Sequence, residues 1–301
     1  MIRHLILGVA VSTLAILGAC KQAETVTEPT TQTTAVNPAQ NSDNLAKILS
    51  EQSEKAKARY KYRNPQKTLE FFGIQPGMTV AEALPGGGWY SKILLPYLGE
   101  NGGLIGMDYS LEMWPLFGGF ANEAFMEKKK TWAQDWVSKA QKWTGAEGSD
   151  ISAFTFGSRN TAMDGQVDAV LFIRALHNLQ RFSDKGDFIG EALADAHALL
   201  KPGGVLGIVQ HRGPETNSDD WASGSAGYLK QSAVIAKVEA VGFTLVGSSE
   251  HNANPADNPD NTDIVWRLPP SLGTSKEDEA LKAKMLEIGE SDRMTLKFVK
   301  S

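Results

Sequence analysis

Glycines after an apolar segment form the most distinctive chemical feature of this chain of 301 residues. The stretch runs from Val80 through Leu84 and Pro85 into Gly86-Gly87-Gly88. Glycine lets a ligand approach the backbone closely, and a following helix points its free amide groups toward that ligand. Such a turn also serves as a simple tight connection, so this stretch alone leaves ligand binding and plain chain reversal open.

An acidic residue, Asp108, follows the glycine turn by about twenty residues, at the end of the next apolar segment. In a doubly wound α/β domain, a carboxylate at this place accepts hydrogen bonds from ribose hydroxyls. The alternative is a helix cap or a turn residue. The spacing favours a nucleoside site made by Asp108 and the glycine turn.

Two histidines follow two later apolar segments. His177 comes after residues 167–173, and His211 comes after residues 205–209. The carboxyl ends of strands in an open sheet meet at one side, where ligands bind, and an imidazole placed there can act as a general base. Each histidine could instead cap a strand end or bond to a backbone carbonyl.

Further polar residues lie beside these histidines. Arg174, Asn178 and Arg212 are interpreted as side chains that orient neighbours or meet a carboxylate. His251 and Asp257 lie further along, and with the two histidines they could ligate a divalent metal. No pair of histidines has the short spacing of a ligand motif on one helical face, so we predict no metal site.

Alternating strands and helices are predicted to position these residues. Apolar runs bounded by glycine, proline or aspartate predict strands over 78–84, 104–107, 151–156, 167–173, 205–209 and 243–246. Helices are predicted over 65–72, with Asn64 as its cap, and over 89–98, 188–199 and 233–241. The alternation of Met294, Leu296 and Phe298 predicts an antiparallel edge strand with one face toward water. The fold class is therefore a doubly wound, mostly parallel α/β sheet of seven strands with an antiparallel edge strand.

Two segments exceed this minimum pattern. Residues 111–148 contain Phe125, Trp132, Trp136 and Trp143 at helical spacing. This spacing predicts a helical insertion that packs aromatic rings on the sheet. A surface for stacking a ligand is the alternative. Residues 252–273 are rich in proline, asparagine and aspartate and too long for an ordinary connection, so they predict a lid or a surface loop.

The amino-terminal residues 1–20 are typical of an export signal. Basic residues precede an apolar run over 5–17, which is too short to span a bilayer as a mature helix. The run ends in Leu-Gly-Ala before Cys20, and this ending resembles the bacterial lipoprotein processing box, in which the cysteine is lipidated. We expect an exported protein anchored through Cys20 on the periplasmic side of a membrane, with the outer membrane favoured over the inner.

The rest of the chain divides into a tether and a domain. Residues 21–45 have almost no large apolar side chains and predict a disordered tether, whereas residues 46–301 suit one large domain with insertions. Cys20 is the only cysteine, so neither disulfides nor a thiol nucleophile belong to the domain's chemistry. The net charge of −5 and the lack of an extended basic cluster exclude a nucleic-acid groove.

The ordered set of motifs resembles the class I S-adenosylmethionine-dependent methyltransferases. Val167-Asp168-Ala169-Val170 opens the fourth strand, and Leu199-Leu200-Lys201-Pro202-Gly203-Gly204 precedes the fifth. The likeness covers about residues 64–301. It is most similar to a bacterial group of predicted methyltransferases, here with a lipoprotein signal, that have a Gly-Gly-Gly-Trp-Tyr turn and a His-Asn pair after the fourth strand.

This resemblance implies S-adenosylmethionine as the cofactor and assigns residues to it. Glu82 matches the acidic residue of the first strand, Gly86 and Gly88 match the second and third glycines of the loop, and Asp108 matches the ribose-binding acid. These four residues are the expected cofactor contacts, with His177 as one candidate base.

The sequence departs from the family's pattern at two places. Leu84 stands where the first glycine belongs, so the backbone is expected to enter the turn by another route. The family's acidic adenine contact after the third strand has no clear match. Ser158 or Asn160 could supply that hydrogen bond, and either could equally be a turn residue.

Two functions remain open from the sequence. The first is methyl transfer to a small molecule or an envelope component, in which the protein holds the methyl group in line with a nucleophile. The second is a non-catalytic, membrane-tethered binding or scaffold lipoprotein that reuses the fold. The second function is favoured by the predicted export of the protein, because the cofactor is made in the cytoplasm and its charged sulfonium crosses a bilayer poorly.

Overall fold

One sheet of eight strands organises the protein in a computed structural model that describes residues 38–143 and 147–301. The strands are β1 (Thr79–Ala83), β2 (Gly103–Asp108), β3 (Asp150–Thr155), β4 (Val167–Ile173), β5 (Leu200–Gly213), β6 (Leu229–Lys230), β7 (Phe243–Ser249) and β8 (Arg293–Lys300). Their spatial order is β3-β2-β1-β4-β5-β8-β7, and the two-residue β6 pairs with the end of β5. β1 to β5 are parallel, and β8 runs antiparallel between β5 and β7.

Helices cover both faces of this sheet. They are α1 (Pro38–Ser50), α2 (Glu54–Lys57), α3 (Tyr60–Arg63), α4 (Pro65–Phe72), α5 (Ser91–Leu98), α6 (Glu123–Lys130), α7 (Trp132–Ala140), α8 (Leu176–Arg181), α9 (Phe188–Leu199), α10 (Gln231–Glu239) and α11 (Glu279–Ile288). Short 3-10 turns span Leu111–Phe117, Thr161–Met163, Trp221–Ser223 and Val265–Arg267. Among the helices of the described residues, none is both long and apolar enough to cross a membrane.

The two cores follow from the alternation of side chains along the strands. In β4, Val170 and Phe172 face a core that includes Leu193 of α9, whereas Leu171 faces the opposite core with Leu94 of α5. Because both faces are covered, β4 is a nearly continuous apolar run. The predicted doubly wound, mostly parallel sheet is confirmed.

Antiparallel pairing occurs at one edge of the sheet, as predicted, but β8 lies one position in from that edge and β7 lies outside it. The prediction of a water-facing side for β8 is wrong. Leu296 and Phe298 join the apolar core, and the alternating residues Arg293 and Thr295 are also buried, at 2 % and 1 % exposure. Thr295 accepts a hydrogen bond from the Asn252 side chain, and Arg293 donates to the Tyr62 carbonyl. An alternation of polar and apolar residues in the sequence does not show whether the polar side chains meet such partners or water.

Two details near the amino-terminal side of the domain differ from the sequence predictions. The helix α1 begins at Pro38, inside the predicted tether, and its buried Leu45 packs with Leu69. Asn64 does not cap α4 through its side chain; it has a left-handed backbone, with φ of 35°, and its Nδ2 donates to the His251 carbonyl at 2.5 Å. The folded domain thus starts earlier than residue 46.

The two extra segments are both ordered parts of the fold in their described portions. The insertion forms α6 and α7, and Trp136 packs against Gly106 of β2, where a Cβ would lie 2.9 Å from the indole. The segment 252–273 includes the turn Val265–Arg267, and its residues Asn252 and Asp257 are buried. Its long polar composition therefore does not indicate a loose surface loop.

Candidate functional site

The turn after β1 keeps a left-handed backbone at the position where the resembled family has its first glycine. Leu84 has φ of 53°, and Gly86 and Gly88 have φ of 53° and 77°. The expectation that the backbone enters this turn by another route than in the resembled family stays a prediction. A left-handed residue other than glycine costs about 1–2 kcal/mol, because Cβ approaches the following carbonyl oxygen. The Leu84 amide donates to the Met107 carbonyl of β2 at 2.7 Å, which helps to hold this conformation.

Glu82 lies buried beneath this turn, near the end of β1. The Ser91 hydroxyl, at the start of α5, donates to Glu82 Oε2 at 2.6 Å. Burial raises the pKa of Glu82 to about 7, although the Ser91 hydrogen bond and the charge of Arg174 act in the opposite direction. Glu82 can therefore exchange a proton near neutral pH.

Asp108 ends β2, the parallel neighbour of β1, and so lies beside the glycine turn. It is buried, and Lys129 of α6 donates to its Oδ2 at 2.7 Å. The Lys129 ammonium also lies 3.8 Å from the centroid of the Trp114 ring, a cation–π contact. Burial raises the pKa of Asp108 and the Lys129 charge lowers it. A ribose at Asp108 would have to share the carboxylate with Lys129.

A second residue of the insertion contacts the glycine turn directly. The Trp143 indole packs so closely on Gly88 that a Cβ there would collide with it. Trp143 also meets Trp136 edge to face, with ring centroids 6.0 Å apart. The aromatic insertion therefore packs on the sheet through Trp136 and on the predicted cofactor turn through Trp143.

Ser158 and Asn160 are engaged locally after β3. The Ser158 hydroxyl donates to the Thr155 carbonyl at 2.7 Å, and Asn160 Oδ1 accepts from the Ala162 amide at 3.0 Å. Both are exposed turn or cap residues. Their role toward an adenine ring stays a prediction, and it would compete with these local bonds.

His177 and His211 come together, as the strand ends predict. His177 lies in the first turn of α8 and His211 lies within the extended end of β5, and their ring centroids are 5.3 Å apart. The Gln210 amide group fixes the His177 tautomer: its Nε2 donates to the Gly227 carbonyl at 3.2 Å, so its Oε1 accepts from His177 Nδ1 at 3.3 Å. His177 Nε2 then keeps its lone pair.

Both imidazoles are buried and neutral at physiological pH. Burial lowers the pKa of His177 to about 4, although the Gln210 hydrogen bond opposes this. Burial and the neighbouring His177 lower the pKa of His211 well below its ordinary value. His211 Nδ1 lies 2.5 Å from the Ser291 hydroxyl. A neutral imidazole can accept a proton, but these lowered pKa values make each ring a weaker base than a free histidine.

Arg174 lies between the two halves of the site. It follows β4 directly with a left-handed backbone, φ of 60°, and its amide donates to the Val209 carbonyl at 2.6 Å. Its Nε is buried without a hydrogen-bond partner among the described residues. Its charge acts on Glu82, His177 and His211 alike, which places Arg174 near both the glycine turn and the histidine pair.

The remaining residues that the sequence singled out lie apart from the histidine pair or are paired elsewhere. His251 contacts Ser249 and Thr68. Asp257 accepts hydrogen bonds from Tyr228 and Arg267. No group of three metal-ligating side chains forms within the described part of the chain.

Arg212 and Asn178 orient neighbours. The Arg212 guanidinium pairs with Asp292, Nε to Oδ2 at 2.8 Å, and with Glu250 at 2.7 Å. The Asn178 side chain lies near Tyr109, the residue that follows Asp108.

The sequence analysis missed a buried cluster of charges beside this site. Arg59, Arg63 and Arg293 all contact the carboxylate of Glu290. Arg59 and Glu290 are 231 residues apart in sequence, so no local spacing connects them. The only local signal is the polar run over 289–293 directly before an apolar strand.

Comparisons with known proteins found similarity to solved structures only. No family model matches the chain, and no curated protein matches its sequence. Solved structures that resemble it include a geranyl diphosphate methyltransferase in complex with S-adenosylmethionine, with 12 % identity, a TM-score of 0.49 and coverage of 85 % of this chain and 90 % of the other. An S-adenosylmethionine-dependent methyltransferase from Aquifex aeolicus has 20 % identity, a TM-score of 0.44 and coverage of 68 % and 92 %.

A third similar structure is the 1,6-didemethyltoxoflavin-N1-methyltransferase from Burkholderia thailandensis, with 14 % identity, a TM-score of 0.44 and coverage of 89 % and 92 %. These likenesses concern the fold. The sheet of this chain is mostly parallel, with one antiparallel strand inserted before the last edge.

Proposed function

We propose that the protein is an S-adenosylmethionine-dependent methyltransferase that acts on a small molecule or a component of the cell envelope. The observation that carries this proposal is the junction of β1 and β2. There the left-handed turn from Leu84 to Gly88 lies beside the buried carboxylate of Asp108, with Glu82 beneath it. This arrangement offers backbone at the turn and a hydrogen-bond acceptor for a ribose at its side.

The residues at this junction suit the cofactor chemically. Asp108 would accept hydrogen bonds from the ribose. The turn at Gly86, where an added Cβ would meet nothing closer than 3.9 Å, would leave space for the amino-acid end, and the Trp143 indole would have to move for the cofactor to reach Gly88. When bound, the cofactor supplies an electrophilic methyl group, so the chain itself needs only to position an acceptor and to remove its proton. His177 and His211 would share the second task, with His177 Nε2 as the free lone pair.

The test is calorimetric titration with S-adenosylmethionine and S-adenosylhomocysteine. We expect both to bind, and we expect Asp108→Asn to weaken binding by about 1–3 kcal/mol, because hydroxyl groups of the ligand lose a charged acceptor. Lys129→Met removes the competing ion pair and should not weaken binding. Asp150→Asn is the matched control, because Asp150 begins β3 at the amino-terminal end of the parallel strands, the opposite end from Asp108, and is exposed.

Failure of both nucleosides to bind to folded protein would contradict the proposal and favour a tethered scaffold. Binding that is unchanged in Asp108→Asn would move the cofactor away from the β1–β2 junction. If both nucleosides bind, His177→Ala should retain binding and lose turnover once an acceptor is identified, whereas full turnover would remove the histidine from the chemistry.

We also propose that the protein is exported and anchored through a lipid on Cys20, which lies outside the described residues. The proposal draws on the apolar run and the Leu-Gly-Ala sequence that precede this cysteine. An acceptor in the envelope would agree with that location, and the cofactor would then need a route across the membrane.

A further inference from the structure

Buried positive charge exceeds buried negative charge beside the histidine pair. The guanidiniums of Arg59, Arg63 and Arg293 converge on Glu290, with distances of 2.6 Å from Arg59 Nε and 3.2 Å from Arg63 Nε. Arg63, Glu290 and Arg293 are only 6 %, 2 % and 2 % exposed. One carboxylate therefore serves two buried guanidiniums and the half-buried guanidinium of Arg59.

Arg174 adds a fourth guanidinium to this group. Among the described residues none of the ion pairs includes Arg174, and the Nε atoms of Arg174 and Arg293 are both buried without a hydrogen-bond partner. Burial and the charges of Arg63 and Arg293 lower the pKa of Arg174 well below its ordinary value. The Arg174 side chain is half-buried, and a partly desolvated cation without an ion-pair partner among the described residues is a candidate for binding an anionic ligand.

The other acids nearby do not supply the missing charge. Glu82 acts on Arg174, but burial raises its pKa to about 7, so it is only partly ionised at neutral pH. Asp292 is paired with Arg212.

Two of these arginines, Arg174 and Arg293, line a cavity of about 120 Å³, which we call the Arg174 cavity. The rest of its polar lining comes from His211, Ser271, Glu290 and Ser291. Its apolar wall belongs to the 252–273 segment and comprises Val265, Trp266, Leu268, Pro269 and Pro270. The cavity is large enough for a small polar group in place of several water molecules.

The lining selects among anions. A guanidinium fork matches the two oxygens of a carboxylate as well as those of a phosphate. Glu290 lines the same cavity, and its charge would repel a dianion more than a monoanion. Trp266 and the two prolines offer contact to an apolar body attached to the anionic group. A carboxylate on a carbon skeleton meets all three conditions.

We propose that the Arg174 cavity binds the carboxylate of the methyl acceptor, with Arg174 as the residue that determines this specificity. Calling the ligand an acceptor rests on the proposed methyltransferase function; the carboxylate site itself does not. Since His211 lines the cavity, a bound carboxylate would hold its carbon skeleton beside the histidine pair. The carboxylate is a recognition group here and takes no part in bond formation.

The experiment uses the full-length protein with benzoate and its neutral isostere benzamide, followed by NMR chemical shifts of the imidazoles and by calorimetry at constant ionic strength. We expect benzoate to bind, to shift the His211 signals and to bind at least 10-fold more tightly than benzamide. Arg174→Gln should weaken benzoate binding at least 10-fold. Arg181→Gln is the matched control, an exposed arginine of α8 that does not line the cavity, and it should bind benzoate as the wild type does.

A second measurement keeps the test independent of affinity. Without ligand, Arg174→Gln should raise the melting temperature, because it removes an uncompensated charge. Benzoate should raise the melting temperature of the wild type but not that of Arg174→Gln. Equal benzoate affinity in wild type and a folded Arg174→Gln would overturn the proposal. Inorganic phosphate that binds more tightly than benzoate, with the same dependence on Arg174, would overturn the choice of a carboxylate.

The outcomes also separate this proposal from the proposed function. Benzoate binding that depends on Arg174, in a protein that binds neither S-adenosylmethionine nor S-adenosylhomocysteine, would support the carboxylate site and contradict methyl transfer. Nucleoside binding without benzoate binding would leave the methyltransferase proposal intact and remove the carboxylate site.

Discussion

Leu84 is the residue at which this chain departs most clearly from the pattern it resembles, and its backbone explains how the departure is tolerated. The turn requires a left-handed residue after β1, and leucine adopts that conformation with φ of 53°. The cost of about 1–2 kcal/mol is offset in part by packing, since Leu84 contacts the apolar core on one face of the sheet. Leucine therefore occupies a left-handed position that favours glycine.

A pair of substitutions measures this strain. Leu84→Gly and Leu84→Ala both remove the packing, but only glycine relieves the left-handed conformation. We expect the glycine variant to be about 1 kcal/mol more stable than the alanine variant in urea unfolding. At Leu111, where φ is not positive, the order should reverse, because glycine loses more backbone entropy than alanine. An alanine advantage at both positions would show that the turn relaxes and stores no strain.

Single residues were predictable where a strand end dictated their position. His177, His211 and Asp108 follow buried apolar runs, and parallel strands bring such ends to one side of a sheet. The guanidinium cluster was not predictable. Its members come from α3 and from the start of β8, and only the packing of α3 against the sheet brings Arg63 to Glu290.

At the scale of elements, the strands of the parallel half were predicted to within a few residues because their apolar runs end at glycine, proline or aspartate. The helix α1 was missed, since its apolar residues Leu45, Ile48 and Leu49 fill little more than one turn of a polar segment. The segment 252–273 was left between lid and loop. The composition of the segment shows that it is polar, but it cannot show that Asp257 and Arg267 form a buried ion pair.

Asp257 fastens this segment to the rest of the domain. Its side chain is fully buried and accepts from Tyr228 at 2.9 Å, from Arg267 at 2.8 Å and from the Asp292 amide at 2.9 Å. We expect Asp257→Asn to destabilise the protein by about 3 kcal/mol in urea unfolding, because a buried cation and two donors lose a charged acceptor. Asp260→Asn, an exposed aspartate of the same segment, should leave the unfolding midpoint unchanged. Equal midpoints for both variants would mean that the segment is not held through Asp257.

At the scale of the whole molecule, the proposed anchor decides where the site operates. If Cys20 is lipidated, Cys20→Ser should move the protein from the membrane fraction to the soluble fraction or leave it unprocessed, with changed electrophoretic mobility. The control is Ser12→Ala, a substitution inside the apolar run that keeps the cysteine. Unchanged fractionation and mobility in Cys20→Ser would make the lipoprotein assignment wrong and would remove the conflict between an exported protein and a cytoplasmic cofactor.

The buried titratable groups also give the whole molecule a pH dependence with opposing contributions. The pKa of His177 falls from 6.5 to about 4 on folding, so its contribution to stability is present above pH 6.5 and is lost as the pH falls toward 4. Burial raises the pKa of Glu290, but the charges of Arg293 and Arg63 outweigh this and bring it to about 2, so its contribution is lost below pH 4.5. Glu82 acts in the other direction: its pKa rises from 4.5 to about 7, so the folded state gains stability as the pH falls through that window.

Glu82→Gln should therefore make the protein more sensitive to mild acid. Glutamine can still accept the Ser91 hydrogen bond, but it cannot take up the proton that offsets the loss from His177. Between pH 7.5 and 5, we expect the free energy of unfolding to fall more steeply in the variant than in the wild type, by up to about 3 kcal/mol for a pKa shift of this size.

The variant His177→Gln should have the opposite effect and flatten the dependence of the free energy of unfolding on pH, since it removes a group that must be neutral when folded. Urea unfolding at pH 7.5, 6.5 and 5 measures all three proteins. If the curves for wild type and Glu82→Gln are parallel, Glu82 stays ionised beneath the glycine turn, with Arg174 as its counter-charge. The excess of positive charge around Arg174 would then be smaller by one.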